Sequence, residues 1–416
     1  MTDTIQQSNS QRPLVIVAHA SVGSGHRSAA QAVAQAMESL RGVHPALPAN
    51  AEIQVVDILD YGYIRFNGET TVNLFTGIGR RVYDITWHYV LTGRLLWGGG
   101  YAWSPLMFSR FTKMIEQRHP IAIVATHIVA ANEAIAARML TQQAFPVVCV
   151  PTDYGTEGLW PHREADLFCA ADEMMKSELL PRRVPEEKIM VTGIPVRRGF
   201  TQEYDRADVL QSFGLPQDKI VVLVMAGAKY REPYLRFRDV VDKIIPHLSM
   251  YPQMHFAFMA GADDEYAARV QREFDAYNIT NATVFNYVEN IAALMSAADL
   301  SVTKSGGLTV TECICAHLPV VLVGESFGQE RANTSTVVEI GAAVHVETTE
   351  QLIRELDRVD NEPSLLQRMI KKASVIRRPH SADDVAKATL DLVGHVNPLK
   401  KRFIRFYWGK KPIRKR

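Results

Sequence analysis

The chain has 416 residues, and 47% of them are apolar, which is enough for two hydrophobic cores. Its 46 Lys and Arg residues nearly balance its 45 Asp and Glu residues, and this excludes a strongly basic nucleic-acid-binding protein. The first ten residues are polar, and no stretch reaches the roughly 18 to 20 uncharged apolar residues that a membrane-spanning helix needs. We therefore expect a cytoplasmic protein of two domains that does not cross a membrane.

The first half of the chain alternates apolar runs with helical patterns. Leu14 to His19 (LVIVAH) leads through the loop SVGSGH into an Ala-rich segment with helical spacing. The same alternation follows at EIQVVDIL, IAIVATH, PVVCVPTD and DLFCAADEMMKSELL. This pattern predicts a parallel sheet that is wrapped by helices, and thus a doubly wound α/β domain.

A second series of strand and helix candidates follows VTGIPVRRGF. Its strand candidates are KIVVLVMAGAK, MHFAFMAG, ATVFNYV, ADLSVTKSGG and LPVVLVG. Between Pro195 and Tyr204, a Pro, a Gly and paired arginines interrupt both periodicities, so we place the boundary there. The sequence predicts two Rossmann-like, doubly wound domains at 1–197 and 198–396, facing each other across a cleft, and a basic tail at 397–416.

Two segments do not fit this alternation. Residues 64–115 are rich in aromatics, Gly and spaced arginines, which fits either a helical insertion packed on the core or a surface that enters the lipid interface. The tail is basic and carries interleaved aromatic residues such as Phe403, Tyr407 and Trp408. Solvated disorder and nucleic-acid binding are alternatives for the tail, but an anionic membrane surface fits its composition better.

The four cysteines form no CxxC pair and lie inside apolar runs, at Cys149, Cys169, Cys313 and Cys315. Such a pattern predicts buried thiols in a reducing compartment, and neither disulfides nor a metal site.

The strongest functional pattern is the block at residues 297–334. A strand that ends in Thr303 and Lys304 is followed by Ser305, Gly306 and Gly307, which open a helix. Backbone N–H groups at a helix N-terminus suit a diphosphate, and glycines permit its close approach.

Further along the same block, three side chains suit the rest of a nucleotide sugar. Glu312 lies about one turn into the predicted helix, where a carboxylate would accept both hydroxyls of a ribose. Gln329 and Glu330 on the next loop would reach the sugar.

These residues resemble the donor site of the family 28 glycosyltransferases, in particular of processive diacylglycerol glycosyltransferases and monogalactosyldiacylglycerol synthases. The loop SVGSGH at 21–26 resembles the family's glycine loop, and the blocks at 151–173, 188–200 and 222–229 resemble its other signatures in the same order. The resemblance extends from about residue 13 to about residue 395. It implies the GT-B architecture, in which two Rossmann-like domains enclose the cleft.

The resemblance also implies roles for individual residues. Gly306, Gly307 and Thr309 would surround the UDP diphosphate, and Gly227 would lie near the phosphates or the cleft floor. The transferred sugar would contact Gln329, Glu330 and Asn333. The donor-binding residues that we predict are Gly227, Lys304, Ser305, Gly306, Gly307, Thr309, Glu312, Gln329, Glu330 and Asn333.

On the acceptor side, His26 is the histidine of the family's glycine loop and Asp153 is the carboxylate of its TD pair. Transfer to an alcohol requires a base that removes the hydroxyl proton, and either residue suits this task. His127 is a weaker candidate for the acceptor cleft, since a histidine at a strand end is more often structural. The pair Asp263 and Asp264 favours a helix start over a metal-binding DxD motif, so we predict metal-independent, inverting transfer.

Three positions depart from the family pattern. Glu157 replaces a histidine that relatives often carry, Ser305 replaces the proline of TKPGG, and Lys229 follows MAGA where a histidine is common. Glu157 and Lys229 alter the charge of the cleft. We therefore expect this protein to use a different acceptor or donor from the well-known members of the family.

We therefore predict an enzyme that transfers a hexose from a UDP-sugar to a membrane lipid, with diacylglycerol as the favoured acceptor and a β-glycolipid as the product. It would need no cofactor besides its UDP-sugar substrate, bind no nucleic acid, and attach peripherally to the inner face of the cell membrane. The alternatives are N-acetylglucosamine transfer to a polyprenyl-linked acceptor and a non-catalytic UDP-sugar sensor. The sequence leaves open which hexose is transferred.

Overall fold

The structure is a computed structural model that describes residues 12–21, 23–62, 107–156, 160–227, 235–326 and 329–400. Most of the aromatic-rich segment at 64–115 and the tail from residue 401 onward lie outside the described residues. Their predicted contacts with membranes therefore stay predictions. In the part of the chain that is described, no helix is long and apolar enough to span a membrane.

The first sheet has six parallel strands in the order β2-β1-β3-β4-β5-β6. All residues of β1, β3, β4 and β5 are buried, as expected when helices cover both faces of a parallel sheet. The strands are β1 Leu14–His19, β2 Glu52–Asp57, β3 Ala122–Ala125, β4 Val147–Cys149, β5 Leu167–Ala170 and β6 Ile189–Val191. The α-helices described in this half are α1 Ser24–Leu40, α2 Ser109–Arg118, α3 Ile128–Thr141 and α4 Glu173–Leu179.

The second sheet also has six parallel strands, in the order β9-β8-β7-β10-β11-β12. Its strands are β7 Ile220–Val224, β8 Met254–Met259, β9 Ala282–Phe285, β10 Leu300–Thr303, β11 Val320–Val323 and β12 Ala343–Val346. The α-helices of this half are α5 Arg206–Ser212, α6 Leu235–Val241, α7 Asp264–Ala276, α8 Ile291–Ala297, α9 Gly307–Cys315, α10 Gln329–Glu339, α11 Thr349–Asn361, α12 Ser364–Ala373 and α13 Ser381–Asp391. Short 3-10 helices occur at Ile58–Tyr61, Leu180–Arg182, Glu186–Lys188, Arg198–Thr201 and Asp242–Met250.

These two parallel sheets with flanking helices confirm the predicted fold class. The strand sets divide between Val191 and Ile220, while the exact domain ranges stay a prediction. The last helix, α13, does not pack on the sheet that precedes it in the chain. Instead, its Val385 and Ala386 share a buried cluster with Val15 and Val17 of β1, so the chain returns to the first domain at its end.

The two segments that connect the domains touch each other. Gly193, which follows β6, has a φ of +85°, and a Cβ on it would lie 2.5 Å from the Cβ of Arg378, just before α13. The hydroxyl of Ser381 donates a hydrogen bond of 2.8 Å to the carbonyl of Ile194. The outward and the returning connection therefore run side by side.

The sheet topology determines where a ligand would bind. The strand order reverses between β1 and β3 in the first sheet and between β7 and β10 in the second. Open α/β sheets bind ligands outside the carboxyl ends of their strands at such switch points. The loops and helix starts at these points contain His26, His127, Gly227 and Lys304, which therefore lie at the carboxyl ends of the strands in the two sheets.

All four cysteines are buried and carry free thiols, which confirms the predicted burial. The residues that the structure describes include no cluster of three or more His, Cys, Asp or Glu side chains arranged to hold a metal ion.

Candidate active site

His26 lies in the first turn of α1, directly after the glycine loop. Its Nδ1 is 3.0 Å from the backbone carbonyl of Thr126 and 2.8 Å from the hydroxyl of Thr152. Because a carbonyl oxygen can only accept, Nδ1 must carry the proton in the neutral ring. This leaves the lone pair on Nε2, which no described residue engages by a hydrogen bond.

The surroundings of His26 favour its neutral form. Burial lowers the pKa of its imidazole, and the negative charge of Asp153 and the hydrogen bond to Thr126 oppose this effect only in part. A neutral imidazole with an available Nε2 is able to accept a proton from a hydroxyl group.

Asp153 follows β4 and is held by groups from the second domain. The side-chain amide of Asn333 donates a 2.8 Å hydrogen bond to Asp153 Oδ1, and the backbone N–H of Gly307 donates a second one. Burial raises the pKa of Asp153, while the Asn333 hydrogen bond and the nearby His26 lower it and Glu330 raises it further. The predicted catalytic carboxylate therefore lies where the two domains meet.

A small pocket joins these acceptor-side groups. It is lined by His26, His127, Ile128, Pro151, Thr152, Asp153, Gly155 and Trp160. The lining of the pocket combines polar side chains with apolar ones such as Ile128 and Trp160. This combination suits a hydroxyl group that is carried by an apolar molecule.

On the donor side, the N-terminus of α9 contacts the loop that carries Asp153. A Cβ on Gly307 would lie 2.3 Å from the carbonyl oxygen of Thr152 and 2.8 Å from Asp153 Oδ1. At Gly306, in contrast, the nearest atom to such a Cβ is Thr309 Oγ1 at 4.0 Å. Gly307 is therefore required by the close approach of the two domains, a reason that the sequence did not reveal.

Asn333 is fully buried and uses its amide to connect the domains. Its Oδ1 accepts from the backbone N–H of Tyr154 at 2.7 Å, and its Nδ2 donates to Asp153 and, at 2.9 Å, to the carbonyl of Ser305. The predicted contact of Asn333 with the transferred sugar stays a prediction, and in this structure both hydrogens of its amide bond protein oxygens.

Other predicted donor residues surround the N-terminus of α9. Lys304 forms an ion pair with Glu330. The hydroxyl of Ser305 lies 3.1 Å from that of Ser326, which in turn lies 2.7 Å from that of Thr334. Thr309 is half-buried in the first turn of α9, and Gln329 is the first residue of α10. Lys304, Ser305 and Thr309 thus lie at the start of α9, and the donor-binding roles of all these residues stay predictions.

Glu312 is buried in α9, 3.7 Å from the guanidinium of Arg197. Burial raises the pKa of Glu312 to about 7, although the charge of Arg197 and its hydrogen bond lower it. Arg197 was not predicted as a site residue, because the paired arginines at 197 and 198 were interpreted only as part of the domain boundary. Arg197 supplies the positive charge that holds the predicted ribose-binding carboxylate.

Gly227 lies three residues after β7 and packs on the backbone of the connection that follows β8. A Cβ there would lie 2.8 Å from the backbone nitrogen of Gly261. The glycine is thus explained by backbone packing, and its predicted role near the phosphates stays a prediction. Asp263 accepts from the N–H of Tyr266 and caps α7, which confirms the predicted helix start. Glu157 and Lys229 lie outside the described residues.

Two family models match the chain, one on each domain. A monogalactosyldiacylglycerol (MGDG) synthase model matches residues 26–196, and a glycosyltransferase family 28 C-terminal domain model matches residues 221–387. A processive diacylglycerol beta-glucosyltransferase from Bacillus cytotoxicus is 24% identical over 92% of this chain and 94% of its own. A protein of the same name from Bacillus thuringiensis is 24% identical over 93% of this chain and 96% of its own.

Solved structures show the same architecture. MurG from Acinetobacter baumannii superposes with a TM-score of 0.55 at 18% identity, covering 92% of this chain and 100% of that one. A UDP-GlcNAc 2-epimerase from Neisseria meningitidis gives a TM-score of 0.60 at 15% identity, with 91% and 98% covered. Two doubly wound domains that meet at their switch points define this molecule as a GT-B protein. The chain thus carries an MGDG synthase domain followed by a family 28 C-terminal domain, and it is a UDP-sugar glycosyltransferase.

The raised pKa of the buried Glu312 carboxyl group leads to a prediction for nucleotide binding. If the carboxylate accepts the ribose hydroxyls, Glu312→Ala weakens uridine and UDP binding by about 10- to 100-fold, the range expected for hydrogen bonds to a charged group. Because the pKa of Glu312 is about 7, wild-type affinity for uridine should rise as the pH increases through 7, and Glu312→Gln should abolish this rise. Calorimetry with uridine, which lacks titrating phosphates, measures both effects. Normal uridine affinity in the Ala variant would contradict the ribose role.

Proposed function

We propose that this enzyme transfers a hexose from a UDP-sugar to the hydroxyl group of a membrane lipid, most directly diacylglycerol, with inversion and without a metal ion. The observation that carries the proposal is the pocket that both His26 and Asp153 line, with Asp153 bound to the N-terminus of α9 through the backbone N–H of Gly307. The Bacillus proteins that match over nine-tenths of the chain are named diacylglycerol glucosyltransferases, which supports the lipid acceptor.

The geometry supports a single displacement. His26 Nε2 accepts the hydroxyl proton while the lipid oxygen attacks the anomeric carbon and the bond from that carbon to the UDP oxygen breaks. Attack from the face opposite to the leaving group inverts the configuration, so an α-linked donor gives a β-glycolipid. The imidazolium that forms is stabilised by the negative charge of Asp153.

The leaving diphosphate requires positive partial charge. The N-terminus of α9 supplies backbone N–H groups and the positive end of its dipole. Lys304 precedes the first residue of this helix by three positions, and its ammonium group pairs with Glu330. These groups take the part that a metal ion plays in other glycosyltransferases, and the reaction needs no cofactor besides the donor.

Membrane attachment belongs to the same proposal, because a diacylglycerol acceptor stays in the bilayer. The segment from residue 400 to residue 416 contains nine Lys and Arg residues and no acidic residue. Each basic side chain near an anionic surface contributes on the order of 1 kcal/mol. We place the enzyme at the cytoplasmic face of the cell membrane on this basis.

Deletion of residues 400–416 is expected to reduce sedimentation with phosphatidylglycerol-containing liposomes. The variant loses the positive charge of the tail and the aromatic side chains that lie between its basic residues. UDP binding should be unchanged, since the donor residues lie far from the tail in sequence. Liposome sedimentation and calorimetry measure the two properties. Unchanged sedimentation would remove the tail from the proposal.

A product assay tests the function itself. Purified protein is incubated with diacylglycerol in anionic liposomes and a panel of UDP-sugars, with UDP-glucose and UDP-galactose first because the matched names contain both sugars. Chromatography resolves the lipids, and NMR determines the anomeric configuration. A β-glycosyl-diacylglycerol that His26→Ala fails to produce supports the proposal. Tight UDP binding without transfer to diacylglycerol contradicts it, and transfer to a polyprenyl phosphate acceptor in a parallel reaction would establish the alternative.

A further inference from the structure

His127 lies directly after β3 and lines the same pocket as His26 and Asp153. It caps α3, because its Nδ1 accepts a hydrogen bond of 3.2 Å from the backbone N–H of Val129. A neutral imidazole has one N–H group, so a ring whose Nδ1 accepts must carry its proton on Nε2. The fold thereby determines the tautomer of His127.

The neighbouring ring has the opposite tautomer. His26 carries its proton on Nδ1, where it donates to Thr126, and has its lone pair on Nε2. The two rings contact each other edge to face, with centroids 4.6 Å apart and an interplanar angle of 85°. One pocket therefore contains a proton-accepting nitrogen and a proton-donating nitrogen next to each other.

His127 is suited to donate a hydrogen bond and not to act as a base. Burial lowers its pKa well below the ordinary value, and the nearby His26 and His19 lower it further. It therefore stays neutral at physiological pH and keeps its Nε2–H. No described residue accepts a hydrogen bond from this group.

The chemistry of the acceptor indicates a partner for this N–H. A donor that bonded the attacking hydroxyl oxygen would reduce its nucleophilicity, so the better target is a second oxygen close to that hydroxyl. In diacylglycerol, the carbon next to the one that carries the hydroxyl has an ester carbonyl. We propose, on the basis of the proposed function, that His127 is an acceptor-binding residue whose Nε2–H donates to this ester carbonyl and so selects an ester lipid.

The test compares two enzymes with two acceptors. His127→Ser keeps a side-chain oxygen that caps α3 but removes the imidazole N–H from the lining of the pocket. The acceptors are 1,2-diacylglycerol and the matched 1,2-dialkylglycerol. The dialkyl lipid has the same hydroxyl group, but ether linkages replace its ester linkages, so it has no carbonyl groups. kcat/KM is measured for each of the four combinations, as in a double-mutant cycle. Circular dichroism and thermal unfolding check that the variant is folded.

Wild type is expected to prefer the diacyl lipid by about tenfold, the size of effect expected for one hydrogen bond. His127→Ser should lose about tenfold on the diacyl lipid and little on the dialkyl lipid, so that the preference disappears. An equal loss on both lipids would show that His127 acts only through the structure and would overturn the inference while leaving the proposed function intact. Absence of transfer to either lipid by wild type would instead contradict the proposed function.

Discussion

His26→Ala is expected to lower kcat by about 10²- to 10⁴-fold, the usual contribution of a general base. The substitution removes the Nε2 lone pair while leaving the donor groups around α9 in place, so UDP affinity should be unchanged. Steady-state kinetics with saturating UDP-sugar and calorimetry with UDP measure the two properties.

The pH profile gives an independent check on the same residue. The base must be deprotonated, and burial holds the pKa of His26 below its ordinary value of 6.5. Measured at saturating UDP-sugar, so that the titration of Glu312 does not enter through donor binding, wild-type kcat should therefore be constant near neutral pH and fall only as the pH drops through this lowered pKa. Asp153→Asn is the matched comparison, since Asn keeps the shape and loses the charge. A near-normal kcat in His26→Ala together with a large loss in Asp153→Asn would assign the base to Asp153.

Gly307→Ala is expected to have the second large effect, because the added methyl group has no space. Its Cβ would lie 2.3 Å from the carbonyl oxygen of Thr152, so one of the two backbones must move. Overpacking of this kind costs about 1–3 kcal/mol of stability. Displacement of Asp153 by about 1 Å would reduce kcat by about 10²-fold. Thermal unfolding and kinetics measure both losses.

Gly306→Ala is the matched control for the fold. It adds the same methyl group one residue earlier, at a φ of −71°, where the nearest atom is 4.0 Å away. We expect its thermal unfolding to resemble that of wild type, whatever its effect on donor binding. If Gly306→Ala and Gly307→Ala unfold alike, the close approach of the two domains at Gly307 is not the reason for the glycine.

Local pattern was sufficient for much of the fold. The central strands, such as β1, β3 and β10, are buried on both faces and therefore appear in the sequence as short apolar runs. The loops after β1 and β10 carry the glycines and polar residues of the site. Glu312 and the Lys304 loop could be predicted in this way because each follows its own strand at a short distance in the sequence, whereas His26 was assigned through the family resemblance. The resemblance to a family then connected these separate patterns.

The contacts between domains could not be predicted in this way. The Asn333 side chain bonds Asp153 and Tyr154, about 180 residues earlier in the chain, and nothing in its own neighbourhood in the sequence indicates this. The same holds for Arg197 with Glu312 and for Thr152 with Gly307. Helix α13 falls within the range 198–396 that was predicted for the second domain, and nothing in its local sequence indicates that it packs on the first sheet.

The return of the chain through α13 has a consequence for how the two halves are able to move. A single linker would leave one half free to swing and twist in several directions about one point. Here two connections, at Gly193 and at Arg378, are in contact and are joined by the hydrogen bond from Ser381 to Ile194. Two adjacent attachments restrict the two halves to a hinge motion, in which the cleft opens and closes about one axis. Each closure about that axis would return Asp153 to the same position against Asn333 and Gly307.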